Sequence, residues 1–333
     1  MSLHKPRTIK QPLQLDKLPI RQIFSGIFRM SNTKSSEEKN GVSYTNIELH
    51  DATGFQIGLC ETSIINWLPN KQYQLVNMRG YFEQNATKNL VHIIEISPTN
   101  GFVNIGGILS LPRKLCVNPI WLERLINLRR NIESPALGRF VDLLFADDEI
   151  AFAFLQVPAS TKYHHNYIGG LLEHSVEVAE ITSQQDYENN EMRDIAVVAA
   201  LLHDIGKVRT LGINLETTAL GKVVGHDSLT FEICALALKE LDKSWSSASY
   251  TLRHVWSCAT PGAKYGFEPN CTIANIIRYA DKLSVDKYYE KQTFKDNNKT
   301  DGLAWDGKKY YWRPSAETKS NDRSDLCLLT NTH

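Results

Sequence analysis

Six residues of this chain fall in an order suited to metal-assisted chemistry: His174 in GGLLEHSVEVAE, the adjacent His203 and Asp204 in AVVAALLHDIGKV, His226 in GHDS, His254 in LRHVW and Asp281 in IIRYADKLS. His174 lies among Leu171, Leu172, Val176 and Val178, His254 among Leu252, Val255 and Trp256, and Asp281 behind Ile276, Ile277, Tyr279 and Ala280. The run before His203 is apolar on every face and reads as a buried helix, where an unpartnered carboxylate is costly. A single histidine on an apolar face is ordinarily a hydrogen-bonded core residue. Several helices that each turn an imidazole or carboxylate inward are explained together by a dinuclear metal centre. Imidazole nitrogen and carboxylate oxygen suit divalent Mn, Fe, Ni or Co, and a carboxylate can bridge two ions ~3.5–4 Å apart with a reactive water between them. Asp204 is the natural bridge, because His203 beside it ligates only one ion.

Three further residues could meet an anionic substrate at such a centre. Lys207 in HDIGK is either a solvated cation at a helix end or a charge facing phosphate oxygens. His164 and His165 in HHNYIGG precede the His174 helix, a position from which an imidazole or backbone N–H groups could contact phosphate, or where one of them caps or buries locally.

The elements that must position these groups form zones along the 333 residues. After an N-terminal extension, residues 1–17, short alternating runs (IFSGIFRM, YTNIELHDATGFQIGLCET, YQLVNMRGYFEQ, LVHIIEI) place about five strands in residues 18–98, with NTKSSEEKNG as a polar hairpin loop. Their rhythm suggests a small OB-like β-barrel. Such barrels hold single strands by stacking bases on aromatic rings while cations follow the backbone. The candidates are Phe28, Tyr44, Phe55, Tyr81 and Phe82 with Arg29, Arg79 and Lys88. Alternation turns about half of any such set into the core, and Tyr44, Phe55, Phe82 and Arg79 are taken as the substrate contacts. Residues 99–157 carry apolar residues at three- and four-residue steps and read as a helical connector. Residues 158–292 form a helical domain, and 293–333, polar around a KKYYWRP island, form a tail.

The bulk composition excludes several classes. The chain carries 37 basic and 37 acidic side chains and is 42% hydrophobic and 22% charged, as ordinary globular proteins are. Six scattered cysteines form no CxxC pair and no disulfide framework, which fits a reducing cytoplasm. No window approaches a membrane span, and the N-terminus lacks a signal-peptide core.

The order H…HD…D, carried by His174, His203–Asp204 and Asp281, resembles the HD superfamily of metal-dependent phosphohydrolases. VPASTKYHHNYIGGLLEHSVEVAE resembles the signature of YhaM-type 3′→5′ exoribonucleases, shared with the TraI-type domain of MobH-class relaxases. A barrel, a connector and an HD domain follow one another in the YhaM order. The resemblance implies an α+β multidomain chain, a small OB-like barrel followed by an all-α HD domain. It also implies His226 and His254 as further metal ligands, although a single His254 stands where YhaM-type enzymes typically pair two histidines. Two divalent ions, manganese foremost, would be held by His174, His203, Asp204, His226, His254 and Asp281. Asp204 and Lys207 would be the catalytic groups, and single-stranded RNA or DNA the substrate, shortened to nucleoside 5′-monophosphates. A homo-oligomer is compatible with this reading. Hydrolysis of a small nucleotide, or a DNA-processing scaffold of a mobile element or defence system, are the alternatives.

Overall fold

The structure is a computed structural model describing residues 13–39, 41–65, 67, 72–84, 89–99, 107–258 and 266–316. Five strands, β1 (Ile23–Lys39), β2 (Val42–His50), β3 (Phe55–Glu61), β4 (Gln74–Gln84) and β5 (Asn89–Pro98), close into a barrel of order β1-β2-β3-β5-β4, with β1 also pairing β4. All ladders are antiparallel except β3 with β5, where Gly58 and Leu59 face Val91 and His92. Inward residues alternate along each strand, as in Val76, Met78 and Phe82, and fill the lumen with Phe28, Met30, Ile47 and Leu49.

Sequence composition mistook one element. NTKSSEEKNG is not a loop over its whole length. β1 continues to Lys39, with Lys34, Ser35 and Ser36 opposite Asn46, Thr45 and Tyr44 after a register shift beyond Ser31. A ladder is made by backbone groups, so a polar run does not prevent it.

The helices follow: α1 (Pro119–Asn131), α2 (Pro135–Leu144), α3 (Asp148–Gln156), α4 (Gly170–Ser183), α5 (Asn190–Leu201), α6 (Lys207–Thr210), α7 (His226–Ser257) and α8 (Thr272–Asp296). Their starts are legible in the chain. Asn118, Ser134, Asp147 and Asn189 each accept a backbone N–H of the first turn, and proline follows at the first position of α1 and α2. α7 is kinked at Trp245, whose backbone leaves helical geometry. One hydrophobic core runs from Leu122 and Phe140 through Phe154, Leu172 and Val198 to Leu252 and Ala280. The stretch read as a connector therefore shares its core with the helices that follow it.

The barrel is fastened to these helices by a buried cation. Arg29, fully buried on β1, donates from Nη1 to Asp148 Oδ1 at 2.5 Å and from Nε to the Ser110 carbonyl at 3.0 Å. Its guanidinium also lies over the Phe152 ring, 4.9 Å from the centroid. Nearby, Asp51 Oδ2 accepts from the Leu15 N–H at 2.6 Å, and the Arg113 N–H reaches the Asp51 carbonyl.

The chain divides into two compact units, residues 1–284 and 285–333. In the second, the end of α8 carries an antiparallel hairpin of β6 (Gly302–Trp305) and β7 (Tyr310–Arg313) where the sequence suggested only a polar tail. Asp306 and Gly307 build its turn. The Asp306 carboxylate accepts the N–H groups of Lys308 and Lys309 at 2.7 Å, and Gly307 sits at φ 94°. Among the described residues, no helix is long and apolar enough to cross a membrane.

Candidate metal centre

Glycines set the approach of the elements that bear the site. Gly170 opens α4 against the loop of His164 and His165, where a Cβ would lie 2.0 Å from the His165 carbonyl oxygen. That contact brings the histidine pair onto the first turns of α4, with the His164 and His174 rings 5.1 Å apart. Gly206, in the turn after α5, does the same for α7. A Cβ there would meet the His226 carbonyl oxygen at 1.9 Å, so only glycine lets the start of α7 close on the turn carrying Asp204.

The donors converge at this point. His174 Nε2 is 3.2 Å from Asp281 Oδ1 and 3.5 Å from Asp204 Oδ2, while His203 Nε2 is 3.4 Å from the same Asp204 oxygen and 3.9 Å from Asp281 Oδ1. On its other side, Asp204 Oδ1 lies 3.1 Å from His226 Nε2, and Lys207 Nζ donates to Oδ2 at 2.5 Å. One buried carboxylate thus faces two sets of imidazoles. His174, His203 and Asp281 offer one ligand atom each, all within 4.8 Å of one another.

Hydrogen bonds on the far side of each ring fix which nitrogen faces inward. The His203 Nδ1–H donates to the Ala200 carbonyl at 2.7 Å, an oxygen that can only accept. Ser284 Oγ donates to Glu177 Oε2 at 2.6 Å and so accepts from His174 Nδ1 at 3.2 Å. With Nδ1 engaged in this way, Nε2 is the nitrogen that each ring turns toward the carboxylates, and both Nε2 atoms are buried without a hydrogen-bond partner. Orphaned imidazole nitrogens beside two carboxylates are the arrangement a divalent cation completes. HD domains bind divalent metals, and these residues fit one.

The electrostatics agree. Burial opposes charge on His203, but Asp204 and then Asp281 outweigh it and raise its pKa to about 9. Burial pushes Asp204 toward neutrality, yet Lys207 and His203 hold it well below the ordinary carboxylate range. Asp281 likewise stays low, because His174 and His203 outweigh its burial. A centre that draws a proton onto His203 draws a metal to the same lone pair. His164 is pushed the other way: burial, His174 and Lys207 lower it to about 4, so it stands neutral beside the centre.

Other residues singled out by the sequence lie elsewhere. His254 Nε2 accepts the Asn270 N–H at 2.9 Å and lies 3.6 Å from Cys258 Sγ. Its lone pair is engaged locally, and the ion-pair contacts among the described residues that gather donors around Asp204 do not include it. His165 is buried beside His174, with Nδ1 2.9 Å from Tyr167 Oη and its ring nitrogens 3.8 Å from Glu173 and Glu177, contacts that brace the loop. In the barrel, Phe55 is exposed, Tyr44 is half-buried, and Arg79 pairs at the surface with Glu95 at 3.0 Å. Phe82 is packed in the lumen and leaves no ring face for a base, and Phe28 and Arg29 are fully buried. Tyr81, its neighbour, is the outward residue and stacks on His92 at 4.6 Å. Lys88 lies outside the described residues.

Two contributors escaped the sequence reading, Glu177 and Ser284. Each follows a ligand by three residues on the same helix face, His174 on α4 and Asp281 on α8, and that spacing was the available signal. Partners of this kind typically change metal affinity by about 10–100-fold. Ser284→Ala is therefore expected to weaken Mn²⁺ binding by about that factor in calorimetric titration. Unchanged affinity would show that Ser284 does not orient His174.

Comparison with known proteins agrees with this geometry. The HD domain family matches residues 171–286. Proteins named 3′-5′ exoribonuclease YhaM are similar over longer stretches. That of Oceanobacillus iheyensis is 25% identical over 232 residues, 67% of this chain and 71% of the relative. The Bacillus velezensis protein is 29% identical over 268 residues, 78% and 83% of the two chains. The Shouchella clausii protein reaches 35% over 114 residues, 33% of this chain and 35% of the relative. With His174, His203, Asp204 and Asp281 gathered as described and the HD match lying across them, residues 171–286 carry an HD domain of the metal-dependent phosphohydrolase type, in a chain similar to the YhaM exoribonucleases over 67–78% of its length.

Proposed function

We propose that this chain is a 3′→5′ exonuclease that shortens single-stranded RNA to nucleoside 5′-monophosphates with two divalent ions, manganese foremost. The observation that carries the reading is the pair of buried, unpartnered Nε2 atoms of His174 and His203 aimed at Asp204 and Asp281. The relatives are named 3′-5′ exoribonucleases, which supports the polarity and the choice of RNA.

In this reading His174, His203, Asp204 and Asp281 would hold one ion, and His226 beside Asp204 would offer a ligand to a second. Divalent ions supply Lewis-acid polarisation of phosphoryl oxygens and a water acidic enough to attack phosphorus near neutral pH. Asp204 stays ionised across the working range, as a ligand must. Lys207 brings a cation to the same carboxylate and offsets negative charge on the non-bridging phosphate oxygens. His164, held neutral, offers an N–H to phosphate without adding charge. Phe55, Tyr44 and Tyr81 on the barrel give stacking surfaces for bases, a grip that a hydrolase of free nucleotides does not need.

The test is a 5′-labelled single strand incubated with the protein and Mn²⁺. Stepwise shortening from the 3′ end, arrested by a 3′-phosphate, is the expected result. Intact strands with hydrolysis of free nucleotides only would overturn the reading.

A further inference from the structure

The β6–β7 hairpin has two unlike faces. On one, Ala304 is buried, and the Arg313 guanidinium lies 4.1 Å from the Phe294 ring centroid while bonding Glu290 Oε1 at 2.9 Å. Asn297 Nδ2 donates to the Trp305 carbonyl at 3.0 Å, so the ribbon is anchored to the end of α8. A two-stranded ribbon alone is marginal in water, and this anchorage accounts for its order. On the other face stand Leu303, Trp305, Tyr310 and Trp312, exposed by 51%, 44%, 66% and 64%. They form two rungs, Leu303 opposite Trp312 and Trp305 opposite Tyr310, ~7 Å apart along the strands.

The Trp305–Tyr310 contact, with centroids 4.7 Å apart, is a cross-strand pair of the kind that steadies a hairpin. Trp312 has no such duty. Opposite a leucine, it holds an indole face to solvent.

The chemistry of the face identifies what would cover it. From residue 299 to 313 the chain carries Lys299, Lys308, Lys309 and Arg313 against Asp301 and Asp306. Arg313 is paired with Glu290 and Lys309 Nζ lies over the Tyr311 ring on the anchored face, which leaves Lys308 at the turn in step with Tyr310 and Trp312. Flat exposed rings beside a cation suit stacked bases and phosphates. A second copy of the chain fits less well. Four part-exposed side chains present a few hundred Å², well under the ~800 Å² per partner of a stable interface.

We propose that the outer face of the β6–β7 hairpin is a stacking site for single-stranded nucleic acid, with Trp312 the principal platform and Lys308 following the phosphates. The proposal rests on the exonuclease reading and adds to it a grip separate from the barrel.

The experiment measures binding of a fluorescent oligouridine by the full chain, with chelator present to prevent cleavage. Trp312→Ala is expected to weaken binding about tenfold, and Trp312→Phe to restore it. Lys308→Ala should make the salt dependence shallower. Hydrolysis of bis(p-nitrophenyl) phosphate with Mn²⁺ should be the same in all variants. Equal affinity of wild type and Trp312→Ala, while the wild type still degrades strands from the 3′ end, overturns the hairpin site alone. A wild type that cleaves the ester but binds no strand removes the exonuclease reading and the hairpin site with it. If Trp312→Ala dissociates a dimer in sedimentation without changing strand affinity, the face is a self-association surface and the proposal fails. Should that variant misfold, photocrosslinking of wild type to a 4-thiouridine strand decides: crosslinks within residues 302–313 support the site, and their absence overturns it.

Discussion

Asp204→Asn should bind Mn²⁺ far more weakly than wild type and hydrolyse phosphodiesters about a thousandfold or more slowly. The substitution keeps the shape of the side chain and removes its charge. Asp204 Oδ2 serves His174 and His203, Oδ1 serves His226, and Lys207 leans on the same group, so every contact around the centre loses its anion at once. With Asp204 neutral, the chief force raising His203 disappears, and burial then favours its uncharged ring. The fold should persist, because the apolar core beneath the site does not depend on that charge. Paired measurements of metal uptake and ester hydrolysis, with a thermal melt as control, read the effect. A folded Asp204→Asn protein with wild-type turnover would remove Asp204 from the chemistry.

The second large effect concerns stability. Arg29→Ala should cost about 3–5 kcal/mol in urea denaturation, because it takes one partner from a buried ion pair and leaves polar groups behind. The Ser110 and Tyr73 carbonyls lose a donor, Asp148 loses its cation, and the Phe152 face loses its contact. Burial by itself pulls the Arg29 pKa down, and Asp148 opposes that pull, which marks how far the guanidinium relies on this partner. Arg29→Met, which fills the space without the charge, should recover part of the loss. A cost under ~1 kcal/mol for Arg29→Ala would mean that the barrel is held by other contacts.

Much of the site was legible because its chemistry demands particular residue types on apolar helices. The order of polar residues on apolar helices drew attention to His174, His203, Asp204 and Asp281 among several others, the resemblance to HD phosphohydrolases set them apart, and the structure brings them together. What could not be read is where lone pairs go. His254 occupies an apolar helix as the others do, yet its Nε2 is engaged by the Asn270 N–H, a contact set by tertiary geometry sixteen residues away. Glu177 and Ser284 look like ordinary polar residues until α4 and α8 are packed together. In the barrel, Tyr81 and Phe82 are adjacent, so one of them had to face inward. The parity of Val76 and Met78 puts Phe82 inward, so the choice of Phe82 over Tyr81 as a substrate contact is corrected by the barrel. The hairpin after α8 was hidden by its setting. Two four-residue strands inside a polar stretch carry little periodicity, and the anchoring by Phe294 and Glu290 is invisible in the local sequence.

The measurement closest to the centre of this account is anomalous diffraction at the manganese edge from crystals grown with Mn²⁺. A peak within bonding distance of His174 Nε2, His203 Nε2 and the carboxylates of Asp204 and Asp281 is the expected result, with any second peak on the His226 side of Asp204. Well-ordered crystals with no anomalous signal among these side chains, or with manganese bound only elsewhere, would contradict it.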